Sequence, residues 1–326
     1  MKPAQHPLGS GYDAHTTARD VLRGQNLRGQ VALVTGGHGG IGLETTRALA
    51  EAGATVVVGA RTPEAARATL ADEPRIEVAA LDLQSPASVD AFAARFVASG
   101  RPLHMLVLNA GIMAPPLARD ARGVESQMAT NHLGHFQLTA RLWPALAKAG
   151  AAGGARVVAV SSRGHRLGGV DLDDPFFERR PYDKWKAYAQ SKTANVLFAV
   201  ALDRRSAPHG VRAFAVHPGA IATDLTRSIP ADEVQALFEN VKHILKNPEQ
   251  GAATSVWCAT SSLLDGMGGL YCEDCDVAAA VPADSPLGTG VRPWATDPEL
   301  AERLWAATEG WTGVVFTPRG PGEDAS

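Results

Sequence analysis

Short apolar runs alternate with longer amphipathic stretches along most of the chain. The runs at 31–34, 55–60, 76–81, 103–108, 156–161, 211–217 and 269–271 have the length of buried strands. The stretches between them carry apolar positions at helical spacing. Two open on cap residues, Thr62 before Pro63 and Ser85 before Pro86. A long helical region covers about 124–149, with Pro144 as its expected kink. Another helix runs from about 184 to 205, and 230–262 reads as two helices divided at Asn247-Pro248. Strands alternating with helices predict one doubly wound α/β domain: a mostly parallel, seven-stranded sheet with helices on both faces. Ligands of such sheets lie beyond the carboxyl ends of the strands, so the informative residues are expected there.

Three segments surround this pattern. Residues 1–28 are polar and glycine-punctuated, and predict an arm with a short capped helix at 16–22. The main domain is expected over 29–282, with a substrate lid at about 224–246. Residues 283–326 predict a proline-rich extension with a helix near 298–308. Hydrophobic residues are 45% of 326, enough for a sizeable core. A net charge of -3 gives no electrostatic argument for nucleic acid or an anionic membrane as partner. The N-terminus lacks a signal-peptide apolar region, and no apolar run has bilayer-spanning length; a cytoplasmic protein is expected.

The stretch Thr35-Gly36-Gly37-His38-Gly39-Gly40-Ile41-Gly42 joins the first strand to a helix. Glycines permit tight backbone conformations and close approach of a ligand. The helix N-terminus beyond presents free N–H groups to a pyrophosphate. This predicts a Rossmann-type dinucleotide site. An acidic residue at the end of the second strand would hold a ribose 2′-hydroxyl. Gly59-Ala60-Arg61 stands there instead. The Arg61 guanidinium suits a 2′-phosphate, with His38 as a candidate helper, so NADP is the expected cofactor and NAD the alternative.

The glycine stretch resembles the nucleotide loop of the short-chain dehydrogenase/reductase family. The resemblance extends over roughly 16–310 through an ordered series: the loop, Asp82, Asn109-Ala110-Gly111, Asn131, Ser162, Tyr188, Lys192 and Pro218-Gly219. The stretch Asn131-His132-Leu133-Gly134-His135-Phe136 resembles the retinol-dehydrogenase-like and WW-domain-oxidoreductase-like branch. The resemblance implies that Asp82 and Leu83 flank an adenine and that Asn109, Ala110 and Gly111 line the nucleotide pocket. It also implies that Pro218, Gly219, Ile221 and Thr223 meet the nicotinamide end. Tyr188 and Lys192, four apart on one helix face, are then the acid/base and its partner. A free tyrosine has a pKa of about 10, so a nearby ammonium is needed to make it a base near neutrality. Lys192 would also bind the nicotinamide ribose. Ser162 would hydrogen-bond the substrate oxygen, the second serine of Ser161-Ser162 being the family's choice. Asn131 would hold a water linking Lys192 to solvent.

The expected reaction is hydride transfer between NADP(H) and a carbonyl or alcohol group of a small, lipophilic substrate. Homo-oligomer formation is left open. Two other readings compete: an NADP-binding redox-sensing regulator without turnover, and a nucleotide-sugar epimerase or dehydratase. Retention of both Tyr188 and Lys192 argues for the enzyme. No metal is expected. Cys272-Glu273-Asp274-Cys275 has no second cysteine pair to complete a zinc site and reads as free thiols. His132 and His135 read as packing residues. Ile229, Val234, Leu237, Phe238 and Val241 are the candidate lid contacts for an apolar ligand.

Overall fold

The structure, a computed structural model, describes residues 5–71 and 73–319. The outer ends of the expected arm and extension, 1–4 and 320–326, lie outside the described residues. The strands in chain order are β1 (Val31–Thr35), β2 (Thr55–Ala60), β3 (Ile76–Ala80), β4 (Met105–Leu108), β5 (Ala155–Val160), β6 (Val211–His217), β7 (Ala220–Ile221), β8 (Leu245–Lys246), β9 (Leu270–Glu273) and β10 (Asp276–Val277). The main sheet runs β10-β9-β6-β5-β4-β1-β2-β3. All its ladders are parallel except β9 with β10. Strand order reverses around β1, which pairs with β2 on one side and β4 on the other. That reversal opens the crevice where doubly wound sheets bind their ligands.

The sheet has eight strands rather than the expected seven. The eighth, Asp276–Val277, folds back on β9 through the two-residue turn Asp274-Cys275. Both turn residues have positive φ, 51° and 59°. A two-residue type I′ hairpin requires that geometry, which is ordinarily marked by Asn-Gly or Asp-Gly. With cysteine in the second place, the hairpin carries no glycine signal.

Side chains of the central strands alternate between two cores. Leu33, Val57, Leu106 and Val157 face one; Val34, Val58, Val107 and Val158 face the other. Burial on both faces is why these strands read as unbroken apolar runs. The region expected as one kinked helix is divided. A turn of helix (Ser126–Met128) leads into a π-helical turn (Ala129–Leu133), then Gly134–Arg141, then Trp143–Ala151. The break falls at Leu142, and Pro144 stands in the first turn of the next helix. Proline at that position starts a helix, because its missing N–H would be unpaired there anyway.

Lys184–Ser206 is the central helix, capped by Asp183, whose carboxylate accepts from the N–H groups of Trp185 and Lys186. It lies between the sheet and the C-terminal helix Pro298–Thr312 and is buried on nearly every side. At the N-terminal end, Thr17 and Asp20 form a reciprocal cap on the short helix Ala18–Val21. Gln5 lies along β9: its amide donates to the carbonyls of Tyr271 and Ala278, each at 2.7 Å, and accepts from Tyr271 N–H at 3.0 Å. Among the described residues no helix is long and apolar enough to cross a membrane.

Candidate active site

The turn after β1 is built by conformation and closeness. Gly36 and Gly40 have φ of 65° and 53°, in the left-handed region that favours glycine. A Cβ on Gly42 would collide with the Asn109 amide and come within 2.5 Å of the Gly36 carbonyl. Asn109 locks the turn from outside, donating from Nδ2 to Thr35 O at 2.9 Å. The Thr35 hydroxyl accepts from the N–H groups of Asn109 and Ala110 at 2.9 and 3.0 Å, and meets His135 Nε2 at 2.9 Å. His135 Nδ1 lies 3.0 Å from the Asn131 carbonyl, an acceptor only. The network therefore assigns the ring proton to Nδ1 and makes Thr35 the donor to Nε2. Burial lowers His135 to about 4, consistent with this neutral ring.

One cavity of about 1200 Å³ runs along the strand ends. At one end it is lined by Gly36, His38, Gly40, Ile41, Arg61, Asp82 and Leu83, and toward the middle by Asn109, Ala110 and Gly111. Ser162, Tyr188, Lys192, Pro218, Gly219, Ile221 and Thr223 continue the wall. Gly42 does not line it and serves the turn from behind. Asn131 is wholly buried one layer back. Arg61 is exposed at the end of β2. Asp82 accepts from Gln84 N–H at 3.0 Å, a local turn bond, and keeps an edge on the cavity.

The two serines after β5 diverge. Ser161 is buried and donates to the Lys192 carbonyl at 2.7 Å. Ser162 faces the cavity, its hydroxyl accepting from Gly164 N–H at 3.0 Å and standing near enough to the Tyr188 phenol to act on its acidity. Burial pushes Tyr188 up to about 12, against the lowering effect of Ser162. Lys192 Nζ donates to Val160 O at 3.0 Å and lies 5.7 Å from the centroid of the Tyr188 ring. Burial brings it down to about 8. Asn131 pins the neighbouring turn: Oδ1 accepts from Ile112 N–H at 2.9 Å, while Nδ2 donates to Ile112 O at 3.1 Å and Ser191 Oγ at 2.9 Å.

Over the cavity stands the helix Ala231–Val241, whose Leu237, Phe238 and Val241 reach the wall while Val234 does not; Ile229 is buried beside it. Both ends of this segment are tied together, because β7 pairs with β8. Lys184 ties it to the central helix through an ion pair with Glu233 at 2.7 Å. Residues not anticipated from the chain also line the cavity: Trp185, Asp284, Ser285 and Arg292, the last three from the C-terminal segment. His132 and His135 turn to different partners, Thr308 and Thr35. The cysteines of the Cys-x-x-Cys stretch are free and buried.

A glycine cradle at the reversal of a doubly wound sheet, continuous with a buried phenol and lysine, defines an oxidoreductase of the Rossmann type. The family model for short chain dehydrogenase matches residues 30–234, and the chain belongs to that family. It is 46% identical over 293 residues to a Streptomyces lividans protein named "Probable oxidoreductase", covering 86% of this chain and 96% of that one. It is 37% identical over 317 residues to the WW domain-containing oxidoreductase of Gallus gallus, covering 93% of this chain and 74% of that one. This places it with the WW-domain-oxidoreductase-like branch. Among solved structures it resembles a Pseudomonas aeruginosa RhlG/NADP active-site complex, with a TM-score of 0.62 and 26% identity, covering 76% of this chain and 95% of that one.

Proposed function

We propose that the protein is an NADP(H)-dependent alcohol dehydrogenase or carbonyl reductase acting on a small substrate with a substantial apolar part. One observation carries this reading: Tyr188, Lys192 and Ser162 stand on the same cavity wall as the Gly36–Ile41 turn. The cradle fits a dinucleotide. Its glycines leave the backbone bare, the helix Gly40–Glu51 begins there, and His38 Nδ1 is buried beside it without a partner. Arg61, in place of an acid at the end of β2, supports NADP over NAD, as does the NADP complex of the RhlG relative.

When bound, NADP(H) supplies or accepts the hydride. The chain's own residues handle the proton and the charge. Tyr188 Oη gives a proton to the substrate oxygen in reduction and removes it in oxidation. Its phenol, raised by burial, needs a cation nearby to act near neutrality, and Lys192 is the cation this chain provides. Ser162 orients the substrate oxygen beside the phenol and donates to it as charge grows. Lys192 binds the nicotinamide ribose, Asn131 holds the Gly111–Ile112 turn beside it and carries the relay water, and 224–246 closes over the substrate as a lid.

The test follows cofactor consumption with a panel of aldehydes and ketones. NADPH is expected to outperform NADH in kcat/KM. Arg61→Asp is expected to cost roughly ten- to a hundredfold with NADPH and to invert the preference, as loss of charge-assisted hydrogen bonds to a phosphate would. A wild type that prefers NADH overturns the assignment of Arg61. Silence of both cofactors across the panel overturns the enzyme reading.

A further inference from the structure

The floor of the cavity beside Ser162 is cationic in a way the hydride chemistry does not use. Arg163 and Arg166 lie one and four positions after Ser162, His217 ends β6, and Arg292 arrives from the C-terminal segment; all four line the cavity. Arg292 is 2% exposed and His217 5%. Each of the four carries a buried nitrogen with no partner: Arg163 Nε, Arg166 Nε, Arg292 Nη1 and His217 Nε2. His217 Nδ1 accepts from Arg163 N–H at 3.2 Å, which makes its Nε2 a donor. All four orphaned positions are thus N–H donors.

Among the described residues, no carboxylate lies within 4.0 Å of any of the three guanidinium groups. Of the acids nearby, Glu273 acts on Arg163 and Arg166 only through space, and Asp284 lines the same cavity without pairing with any of them. Glu273 accepts from Gly290 N–H at 2.7 Å, and Asp274 pairs with Lys246 at 2.5 Å. The guanidinium groups make only carbonyl contacts: Arg166 with Gly288 O, Arg292 with Ser285 O and Leu287 O. Arg292 is buried and Arg163 and Arg166 are half-buried, and donors left unpartnered beneath them are costly, so an anion from outside the chain is their fitting complement. The cofactor's own phosphates do not serve here. Arg163 follows β5, whereas the glycine turn that would hold the pyrophosphate follows β1, two strand spacings or about 10 Å away, and Arg61 follows β2, three spacings or about 14 Å away.

We propose that this floor is an oxyanion subsite, and that the physiological substrate carries a carboxylate or phosphate beside its reacting carbonyl or alcohol. The inference rests on the reading of Tyr188 and Ser162 as the reacting centre. A Cβ on Gly164, between the arginines, would lie 3.0 Å from the Tyr188 ring, so the subsite adjoins that centre. In the same cavity Leu237 and Phe238 offer apolar surface for the rest of the molecule. The substrate class is an amphipathic oxo or hydroxy acid, anionic at one end and apolar at the other.

Binding is measured first, by calorimetric titration of the NADP-loaded protein with hexanoate, hexylphosphonate and neutral hexanamide. At least one anion is expected to bind tenfold or more tighter than the amide, and to weaken as salt is raised. The stronger of the two anions identifies the oxyanion. Arg166→Met and Arg163→Met, each checked for an intact melt, are expected to erase most of that advantage. Hexanamide binding as tightly as both anions, or folded variants that keep the full advantage, overturns the subsite. Turnover is measured in parallel with 4-acetylbenzoate and its methyl ester. A wild type that favours the acid by kcat/KM, with the preference collapsing in Arg166→Met, supports the proposal. Equal turnover of acid and ester overturns it. Turnover of neither counts against the oxidoreductase reading, and the titration then decides the subsite alone.

Discussion

Lys192 is held where its charge is disfavoured. Burial lowers its ammonium from 10.5 to about 8, while one carbonyl, Val160 O, accepts from it. The folded chain gives up that proton more readily than the unfolded chain. Between about 8 and 10.5 the unfolded state therefore binds more protons, and this group's contribution makes stability rise with pH across the window. Below 8 both states are protonated and the penalty is present in full. Lys192→Met removes the penalty, and Val160 O keeps a donor in Asn195 Nδ2 at 3.1 Å. The variant is expected to melt above wild type at pH 7 by about 2–4 °C, the shift for about 1 kcal/mol in a domain somewhat smaller than this one. The gap should narrow by pH 9.5, and turnover should be lost. Calorimetry without cofactor at both pH values reads this. A variant melting below wild type at pH 7 shows that the lysine stabilises the fold.

Among the elements, the glycine turn is the most constrained. Gly42 faces the Asn109 amide and the Gly36 carbonyl, not the ligand cavity. Gly42→Ala therefore acts by pushing Asn109 off Thr35, an overpacking cost of about 1–3 kcal/mol. Thermal melts should fall accordingly, and NADPH affinity should drop with them; unchanged values for both would mean the turn is not set by this contact. The turn, the strands before and after it, and the capped helices were readable because each depends on neighbours in the chain. The strand ends differ from their expected limits by one or two residues, as at β3 and β4. The π-helical turn at Ala129–Leu133 was not readable. It sits where Gly134 packs onto the Leu83 carbonyl, a contact between distant segments. The hairpin at Asp274-Cys275 was hidden because its positive-φ positions hold no glycine.

At the scale of the molecule, the cavity is assembled from both ends of the chain. The glycine turn and Arg61 belong to its first strands, whereas Asp284, Ser285 and Arg292 come from beyond its last. Tyr188 and Lys192 were legible from their spacing on one helix together with the family resemblance, and Ser162 from the resemblance alone; all three line one cavity. Spacing left the choice between Ser161 and Ser162 open, and packing separates them: the Ser161 hydroxyl is buried on the Lys192 carbonyl, while that of Ser162 accepts from Gly164 N–H beside the Tyr188 ring. Arg292 could not be foreseen, since nothing local links it to residues more than a hundred positions earlier. Hydride passing at this wall, with Tyr188 moving the proton, is what the proposed function requires. NADPH deuterated at nicotinamide C4, on each face in turn, tests it with a ketone that wild type reduces. Deuterium is expected on the carbinol carbon of the product from one face only, and Tyr188→Phe is expected to bind NADPH but transfer label about 10²–10⁴ times more slowly. Consumption of NADPH without label in the alcohol, or transfer by Tyr188→Phe at the wild-type rate, would contradict it.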